Sequence, residues 1–285
     1  MKIIPLTFLL CGTSNIFAQS TISATNRYAY AANAGWLDFR PAAADGVVVT
    51  DTFLRGNAYA ANFGWISFGA GTPSNGHTYS NTSATDYGVN LALDGKLTGY
   101  AYAANIGWIN FEQTQGQPKV DLCTGQFSGF AYSANIGWIS LATTSSMLAT
   151  TSLSRTDADT DGIADAWENL RFGNLTTANA TSDQDGDGSS DLAEYSAGTN
   201  PTDATSSLRI ISYSYSANFT QATLTFTAVP TRKYRLEYDD DLAGPWTNSA
   251  LGTFAPPATP NATGVITGLP TAPRRFFRAV AVNPL

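Results

Sequence analysis

The sequence predicts a mainly β protein with repeated three-stranded β-meanders in a closed or stacked array, a short acidic loop-and-helix segment, and a C-terminal β-sandwich. Three observations predict it: a hairpin motif that occurs four times, an acidic pattern that occurs twice, and short β-like runs separated by Pro, Gly and Asn. The implied boundaries are 1–18 for an export signal, 19–150 for the repeats, 151–205 for the acidic segment and 206–285 for the sandwich.

The first 18 residues have the features of a secretory signal. Lys2 precedes an apolar run from Ile3 to Leu10, and Ala18 offers a cleavage site. We therefore expect a protein that is secreted, extracellular or on the cell surface. No later run of about 18 uncharged apolar residues predicts a membrane span. Cleavage removes Cys11 and leaves Cys123 alone, which excludes an intramolecular disulfide.

The hairpin motif joins two β-like runs through an Asn-x-Gly turn, in which both residues tolerate positive φ. A third β-like run precedes at least three copies, at 46–50, 87–93 and 119–122. A propeller, a barrel and a β-solenoid each satisfy a three-stranded unit repeated about every 30 residues. The four copies are Tyr28–Phe39, Asn57–Phe68, Tyr100–Phe111 and Phe130–Leu141.

Each hairpin carries one tryptophan on the more polar face of its second strand. In the third copy, Trp108 and Asn110 share that face, whereas Ile109 and Phe111 share the other. The indoles either contact a ligand such as a sugar or form internal joints between repeats. We favour joints, because aromatics at fixed repeat positions usually pack internally and the alanine-rich first strands suggest close approach of another sheet. The four tryptophans are Trp36, Trp65, Trp108 and Trp138.

The acidic pattern spans twelve residues and occurs at 157–168 and again 26 residues later at 183–194. Each copy places carboxylates at positions 1, 3, 5, 9 and 12, a backbone carbonyl at position 7, and a glycine, Gly162 or Gly188, at the sharp turn of position 6. This is the oxygen set of a calcium loop, so we expect two Ca²⁺ ions and a calcium-loop and helix segment. The expected ligands are Asp157, Asp159, Asp161, Ile163, Asp165 and Glu168 in the first loop, and Asp183, Asp185, Asp187, Ser189, Asp191 and Glu194 in the second.

Charge is concentrated in this segment. Eleven of the 22 acidic residues lie between Asp157 and Asp203 and only Arg171 offsets them, so the window carries −10 and the remaining chain +3. Carboxylates this crowded repel one another unless a cation neutralises them, so metal binding and folding should be coupled. Magnesium fits less well, because it requires a small rigid octahedron.

The acidic pattern, followed by Ala197-Gly198-Thr-Asn-Pro201, resembles the thrombospondin type-3 and dockerin-like (EF-hand-type) calcium repeats of secreted bacterial proteins. The resemblance implies that the carboxylates of both loops are the ligands. A helix is expected after each loop, whereas the poor helix formers before Asp157 predict no entering helix. The hairpins are similar to Asn-x-Gly-Trp-Ile repeats of exported bacterial proteins of unassigned function, and the C-terminal part resembles fibronectin type III-like modules.

The C-terminal segment contains five short strand-like runs, which fit a sandwich of about 80 residues. Its basic cluster, Arg274, Arg275 and Arg278, is more typical of a solvated strand face than of a nucleic-acid site. The runs are 209–215, 221–228, 233–238, 264–267 and 276–282.

Catalytic motifs are missing from the sequence. The mature chain has one histidine, His77, and one cysteine, with no nucleophile elbow, zinc-binding His pair or phosphate loop. Nothing singles out a catalytic pair among the carboxylates of the repeats, which are Asp38, Asp51, Asp86, Glu112 and Asp121. We expect no enzyme, no catalytic residues and no cofactor besides calcium.

Two functional hypotheses follow. One is a secreted, calcium-stabilised structural or adhesive protein whose tryptophans are buried. The other is a carbohydrate-binding accessory protein with exposed, roughly coplanar indoles along one face; a polysaccharide-acting hydrolase is a lesser alternative. The partners expected are a cell-surface or matrix polysaccharide or protein, with no nucleic acid and no membrane span, and the sequence leaves the oligomeric state open.

Overall fold

The computed structural model describes residues 19–42, 45–143, 147–218, 221–256, 263–270 and 275–282. The expected export signal, with Cys11, lies outside these residues. Over the described ranges, the helices are all too short or too polar to cross a membrane.

The chain is mainly β, as the sequence predicts. Strands β1 to β7 are Ile22–Ala31, Gly35–Asp38, Val48–Val49, Leu54–Arg55, Asn57–Ala60, Gly64–Ser67 and Val89–Leu91. Strands β8 to β14 are Leu97–Ala103, Gly107–Asn110, Lys119–Val120, Phe127–Ser128, Phe130–Ser133, Gly137–Ser140 and Leu148–Thr150. Helices α1 and α2 are Asp165–Phe172 and Asp191–Ala197. Strands β15 to β20 are Ile210–Tyr215, Gln221–Thr227, Lys233–Asp239, Thr247–Asn248, Thr263–Pro270 and Phe276–Val282.

The four hairpins form a closed antiparallel barrel of eight strands. Its order is β13-β12-β9-β8-β6-β5-β2-β1, and the ring closes where β13 pairs with β1 through Tyr30 and Ser140. Of the three architectures that the repeat pattern satisfies, the structure adopts the barrel.

Strand register repeats from hairpin to hairpin. Trp36 pairs with Tyr30 inside the first hairpin, but the residue that pairs with the equivalent Tyr59 of the next hairpin is Asp38, two positions further along the strand. The same offset of two residues recurs at the other three junctions, which gives the barrel a shear of eight residues. An eight-stranded barrel leaves an interior that side chains fill. Alanines of the first strands and Leu37, Ile66, Ile109 and Ile139 of the second strands fill it, all at most 2% exposed.

Short strands outside the ring extend each hairpin. Strand β3 pairs with β4, β7 with β8 and β10 with β11, at positions that overlap the predicted third strands. The first hairpin instead pairs with β14, which comes from the far end of the repeats and joins Leu148 to Arg27. Strand β14 therefore flanks the first hairpin at the position where a strand that precedes the hairpin flanks each of the others.

The turn asparagines form a ring of hydrogen bonds at one end of the barrel. Each side-chain amide donates to the backbone carbonyl of the residue that precedes the turn glycine in the neighbouring hairpin, at 2.9 to 3.3 Å. The four bonds join Asn33 to Ile136, Asn62 to Ala34, Asn105 to Phe63, and Asn135 to Ile106.

Both helices follow an acidic loop and end at a glycine. Gly173 and Gly198 have φ of 74° and 76°, the left-handed conformation that terminates helices. Ser190 caps α2 by accepting from the Ala193 amide. As the sequence predicts, no helix enters the first loop: residues 151–156 are not helical.

The C-terminal region consists of two three-stranded antiparallel sheets. One has the order β15-β16-β19 and the other β18-β17-β20. Leu224 and Phe226 of the first sheet and Tyr234 and Leu236 of the second belong to one buried apolar cluster. Alternation along β16 and β17 creates this cluster, since every second side chain faces the same way.

Candidate metal centre and exposed aromatic surface

The two acidic loops have matching backbone conformations. At position 6, Gly162 has a φ of 94° and Gly188 a φ of 93°. The amide of each donates to the carboxylate at position 1, Asp157 at 3.0 Å and Asp183 at 2.9 Å. The left-handed turn therefore folds each loop back over its first carboxylate, as a calcium loop requires.

Position 9 links each loop to its helix. Asp165 and Asp191 are the first residues of α1 and α2. Their Oδ1 atoms accept hydrogen bonds from the amides at loop position 2, those of Ala158 at 2.8 Å and Gln184 at 3.3 Å. At position 7, the amides of Ile163 and Ser189 donate to the carboxylates at position 5 at 2.8 and 2.7 Å, which stabilises the turn.

Carboxylate oxygens converge in both loops. In the first loop, oxygens of Asp157, Asp159 and Asp165 lie within 4.8 Å of one another, and so do those of Asp159, Asp161 and Glu168. In the second loop, the converging oxygens belong to Asp183, Asp185 and Asp187. Asp191 and Glu194 also accept hydrogen bonds from Ser182 and Thr199. The arrangement brings together the predicted first-loop carboxylates and three of the five in the second.

Several of these oxygens are buried without a hydrogen-bond partner. Among the described residues, six of the nine buried unpartnered side-chain atoms belong to the two loops. A buried, unpaired carboxylate oxygen is strongly destabilising unless a cation neutralises it. The donor set, all oxygen and mostly carboxylate, suits a hard cation such as calcium. The six atoms are Asp161 Oδ2, both Oε atoms of Glu168, Asp185 Oδ2, Asp187 Oδ2 and Glu194 Oε2.

The two position-12 glutamates are the most perturbed acids of the loops. Burial, together with the charge of the neighbouring carboxylates, raises the pKa of Glu168 to about 7. Burial also raises the pKa of Glu194 to about 7, although its hydrogen bond from Thr199 acts in the opposite direction. Both side chains therefore titrate much nearer to neutral pH than an ordinary glutamate does.

The loop segment contacts both β regions. Trp167 of α1 is 1% exposed and packs in a cluster with Leu93 of the repeat region and Tyr195 of α2. Tyr234 of the C-terminal sheets donates its hydroxyl to the carbonyl of Ala197, at the end of α2, at 2.9 Å. The segment therefore forms the joint between the barrel and the C-terminal sheets.

A charged cluster, which we call the Asp51 cluster, reinforces this joint. Arg155 pairs with Asp51 at 3.1 Å, and the Tyr195 hydroxyl donates to the same carboxylate at 3.2 Å. Burial raises the pKa of Asp51, and the Arg155 guanidinium opposes that shift. Sequence reasoning did not find this cluster, because its members come from three segments with no shared motif.

The tryptophans are exposed, so the preferred prediction that they form internal joints is wrong. Trp36, Trp65, Trp108 and Trp138 are 47%, 54%, 47% and 43% exposed. Each contacts the tyrosine opposite it in the same hairpin at centroid distances of 4.8 to 5.1 Å, edgewise in three hairpins and tilted in the pair Tyr30–Trp36. The alanine-rich strands do not face another sheet. They line the barrel interior, where an indole does not fit, so the rings occupy the outer face.

The exposed rings do not share one face. Each hairpin contributes one tryptophan, and the hairpins follow one another around the barrel. At the junctions between hairpins, a polar residue lies opposite the tyrosine of the next hairpin, as Asp38 does opposite Tyr59 and Ser67 opposite Tyr102. These polar residues separate successive aromatic pairs. The surface therefore has four separate Tyr–Trp pairs around the circumference rather than a single coplanar platform.

Four of the five carboxylates considered for catalysis have structural partners, and one of these, Asp121, accepts from the backbone amides of Cys123 and Thr124. Asp38 pairs with Arg27 at 3.1 Å, Asp51 with Arg155, and Asp86 accepts from the Ser74 hydroxyl at 2.8 Å. His77 lies in a turn, where Asn75 accepts its backbone amide hydrogen bond. These contacts give the residues structural roles in turns and in the packing between segments.

Comparisons of this chain with models of protein families, with curated proteins and with solved structures return no match.

Proposed function

We propose that this chain is an exported, calcium-stabilised, non-catalytic modular protein with a structural or adhesive role outside the cell. In this proposal it consists of an array of three-stranded meanders, a pair of thrombospondin type-3 or dockerin-like calcium loops, and a C-terminal sandwich similar to fibronectin type III. The observation that carries it is the set of buried, unpartnered carboxylate oxygens in two loops of matching conformation.

The position of the loops supports a mechanical role for the ions. Both helices that leave the loops contact the remaining chain: Trp167 reaches Leu93, Tyr195 reaches Asp51, and Ala197 accepts from Tyr234. Bound calcium would hold the position-12 glutamates and thereby fix the start of each helix. A rigid joint between two β regions suits a protein that bears load or presents a surface.

Calorimetric titration of calcium-stripped protein tests this proposal. We expect two ions to bind, with dissociation constants no weaker than about the millimolar range of extracellular calcium modules. Glu168→Gln should remove one ion and Glu194→Gln the other. Glu112→Gln, an exposed glutamate of the repeats, serves as the matched control and should leave both. Absence of binding heat at millimolar calcium would remove the basis of the proposal.

The exposed tryptophans go against the burial expected of a structural protein and support the second candidate, a carbohydrate-binding accessory protein, although they do not share the one face that this candidate predicts. A tryptophan that is about half exposed and backed by a tyrosine offers a flat apolar face for a sugar ring. The four pairs would act as separate weak sites on a repetitive glycan. Quenching of tryptophan fluorescence by iodide, with and without neutral oligosaccharide, tests it: protection from iodide supports the candidate, and unchanged quenching at saturating sugar argues against it.

A further inference from the structure

A groove of about 1220 Å³ lies where the barrel, the calcium-loop segment and the C-terminal sheets meet. Pockets for single small molecules usually enclose about 300 to 1,000 Å³, so this groove accommodates an extended ligand. Its lining includes Lys119 of the repeats, Arg171 of α1 and Tyr234 of β17. Each of the three parts of the molecule therefore contributes a wall.

The lining of this groove is cationic. Five cationic residues and two carboxylates, those of Asp94 and Asp203, line it. The lining therefore carries a net charge of +3 in a chain whose total is −7. Asp203 is partly engaged, since it accepts from both the amide and the hydroxyl of Thr205. The five cationic residues are Lys96, Lys119, Arg171, Arg209 and Arg232.

The groove cations form no close ion pairs, although the charges of Asp51 and Glu194 act on Arg232 and Arg171 at longer range. Within the described part of the chain, none of the five forms an ion pair with a carboxylate. The arginines that do form ion pairs all lie outside the groove. These are Arg27, Arg155, Arg235, Arg275 and Arg278.

Three details favour the binding of an anion by these cations. Lys96 and Lys119 face each other across an antiparallel bridge, and like charges in that arrangement are destabilising. The Nε atom of Arg171 is buried and has no hydrogen-bond partner among the described residues. Burial lowers the pKa of Arg171 and that of Arg232. A ligand that carries several negative charges would relieve all three.

We propose that this groove binds an acidic polysaccharide through its carboxylate groups. Guanidinium groups pair with carboxylates through two parallel hydrogen bonds, and cations on three walls match an anion that repeats along a chain. Neutral polar side chains between them, such as Gln113, Gln117 and Ser206, supply hydrogen bonds for sugar hydroxyls. The inference deepens the proposed adhesive role and rests on it, because α1 of the calcium-loop segment forms one wall.

The groove favours a polysaccharide over a nucleic acid. Single-stranded nucleic acids bind by stacking bases on exposed aromatic rings as well as by charge. Trp167 and Tyr234 are the aromatic residues of the lining, and they are only 1% and 0% exposed. A sugar chain needs no such platform, so the cations and the polar side chains are sufficient for it.

Calorimetry on the calcium-loaded full chain tests the proposal with a short, soluble oligouronate as the probe. Free calcium is held constant, and heats from the probe in protein-free buffer are subtracted because uronates also bind calcium. We expect the oligouronate to bind at least tenfold more tightly than a neutral oligosaccharide of the same length. Inorganic sulfate and a single-stranded oligonucleotide are the other probes.

Paired variants locate the site. Lys96→Gln with Lys119→Gln should weaken oligouronate binding at least tenfold, while the unliganded protein keeps or gains thermal stability because the facing charges are gone. Lys233→Gln with Arg275→Gln removes two charges outside the groove and should change affinity less than twofold. An equal loss in both double variants would assign the binding to overall charge and overturn the inference.

Two further results would overturn the inference while leaving the proposed function intact. One is a protein that binds two calcium ions but no oligouronate. The other is an oligonucleotide or inorganic sulfate that binds more tightly than the oligouronate, which would assign the groove to a different ligand. Loss of calcium binding itself would instead contradict the proposed function.

Discussion

The side-chain amide of Asn33 donates a hydrogen bond of 3.3 Å to the carbonyl of Ile136, although 103 residues separate them. This bond joins the first hairpin to the fourth, where the barrel closes. The other three asparagines make the same contact between hairpins that follow one another in the chain. The four asparagines do not adopt the positive φ that the sequence pattern allowed them, since the turn glycines take that conformation, and in the structure each asparagine instead satisfies a carbonyl of the adjacent turn.

Replacing one member of this ring should destabilise the barrel. We expect Asn105→Ala to lower the free energy of unfolding by about 1 kcal/mol or more, because the carbonyl of Phe63 loses its donor. Chemical denaturation followed by far-ultraviolet circular dichroism measures the change. The matched control is Asn57→Ala on the exposed outer face of β5, which should cost less than about 0.5 kcal/mol. Equal effects would mean that the ring adds no stability.

Glycines at two repeat positions should differ in their tolerance of alanine. Both Gly99 and Gly107 have positive φ, 82° and 71°. A Cβ on Gly99 would lie 2.3 Å from the carbonyl oxygen of Gly88, whereas a Cβ on Gly107 has no atom within 4 Å. Gly107→Ala should therefore cost about 1 to 2 kcal/mol from the left-handed conformation alone, and Gly99→Ala more. Thermal midpoints of the two variants provide the measurement.

Two further glycines allow the same comparison in other repeats. Gly56 and Gly129 occupy the equivalent place before their hairpins, and a Cβ on either would also meet a backbone oxygen at 2.3 Å. Their alanine variants should resemble Gly99→Ala. If all four variants lose equal stability, the close backbone approach is unimportant and only φ matters.

The repeat pattern predicts the two faces of each strand but not how the array closes. Burial of Ile109 and exposure of Trp108 follow from alternation, which is a local property. The pairing of Leu148 with Arg27 depends on residues 121 positions apart, and no motif marks it. The indoles were assigned to the wrong environment because alternation identifies a face without saying whether it turns inward or outward. The barrel closes with the alanines inside, and this places the indoles on the outer face.

The loops were predictable to a greater extent than the joint. Ligand spacing and glycine placement are local, so Asp157 to Glu168 is recognisable in the sequence and converges in the structure. The Asp51 cluster and the groove cations are brought together only by packing of separate segments. Their residue types, an isolated aspartate and scattered lysines and arginines, carry no pattern that sequence reasoning can use.

Calcium-free protein should be more stable in mild acid than in mild base. The folded-state pKa of Glu168 and Glu194 is about 7, above the usual value of 4.5. Protonation therefore favours the folded segment: the stabilisation is complete below about pH 4.5 and is lost as pH rises through 7. Differential scanning calorimetry in chelator at pH 5.5 and pH 8 measures it, with the higher midpoint expected at pH 5.5.

Saturating calcium should remove this dependence, because the cation favours the ionised glutamates and depresses their pKa. A double variant, Glu168→Gln with Glu194→Gln, should melt without this pH dependence even in chelator, since neither side chain titrates. Stability that rises from pH 5.5 to pH 8 in the calcium-free wild-type protein would contradict the assignment of these two buried acids.

Chelation should loosen the joint without unfolding the β regions. The acidic segment between Arg155 and Ala204 has a small apolar core around Ile163 and Trp167, and its carboxylates repel one another when no cation is bound. We expect broad-specificity proteolysis in chelator to cut first between Arg155 and Ala204 and to release two stable fragments. Saturating calcium should protect that segment. Gel electrophoresis and mass spectrometry of the early products identify the cut.

Matched variants separate the effect of calcium from that of packing. Glu168→Gln with Glu194→Gln should be cut in the segment even in calcium, whereas Glu112→Gln should behave as wild type. Tyr195→Phe removes only the hydrogen bond to Asp51 and should increase cleavage modestly in calcium, because Trp167 still packs on Leu93. Cleavage that starts within the barrel, or a rate independent of calcium, would mean that packing alone orders the joint.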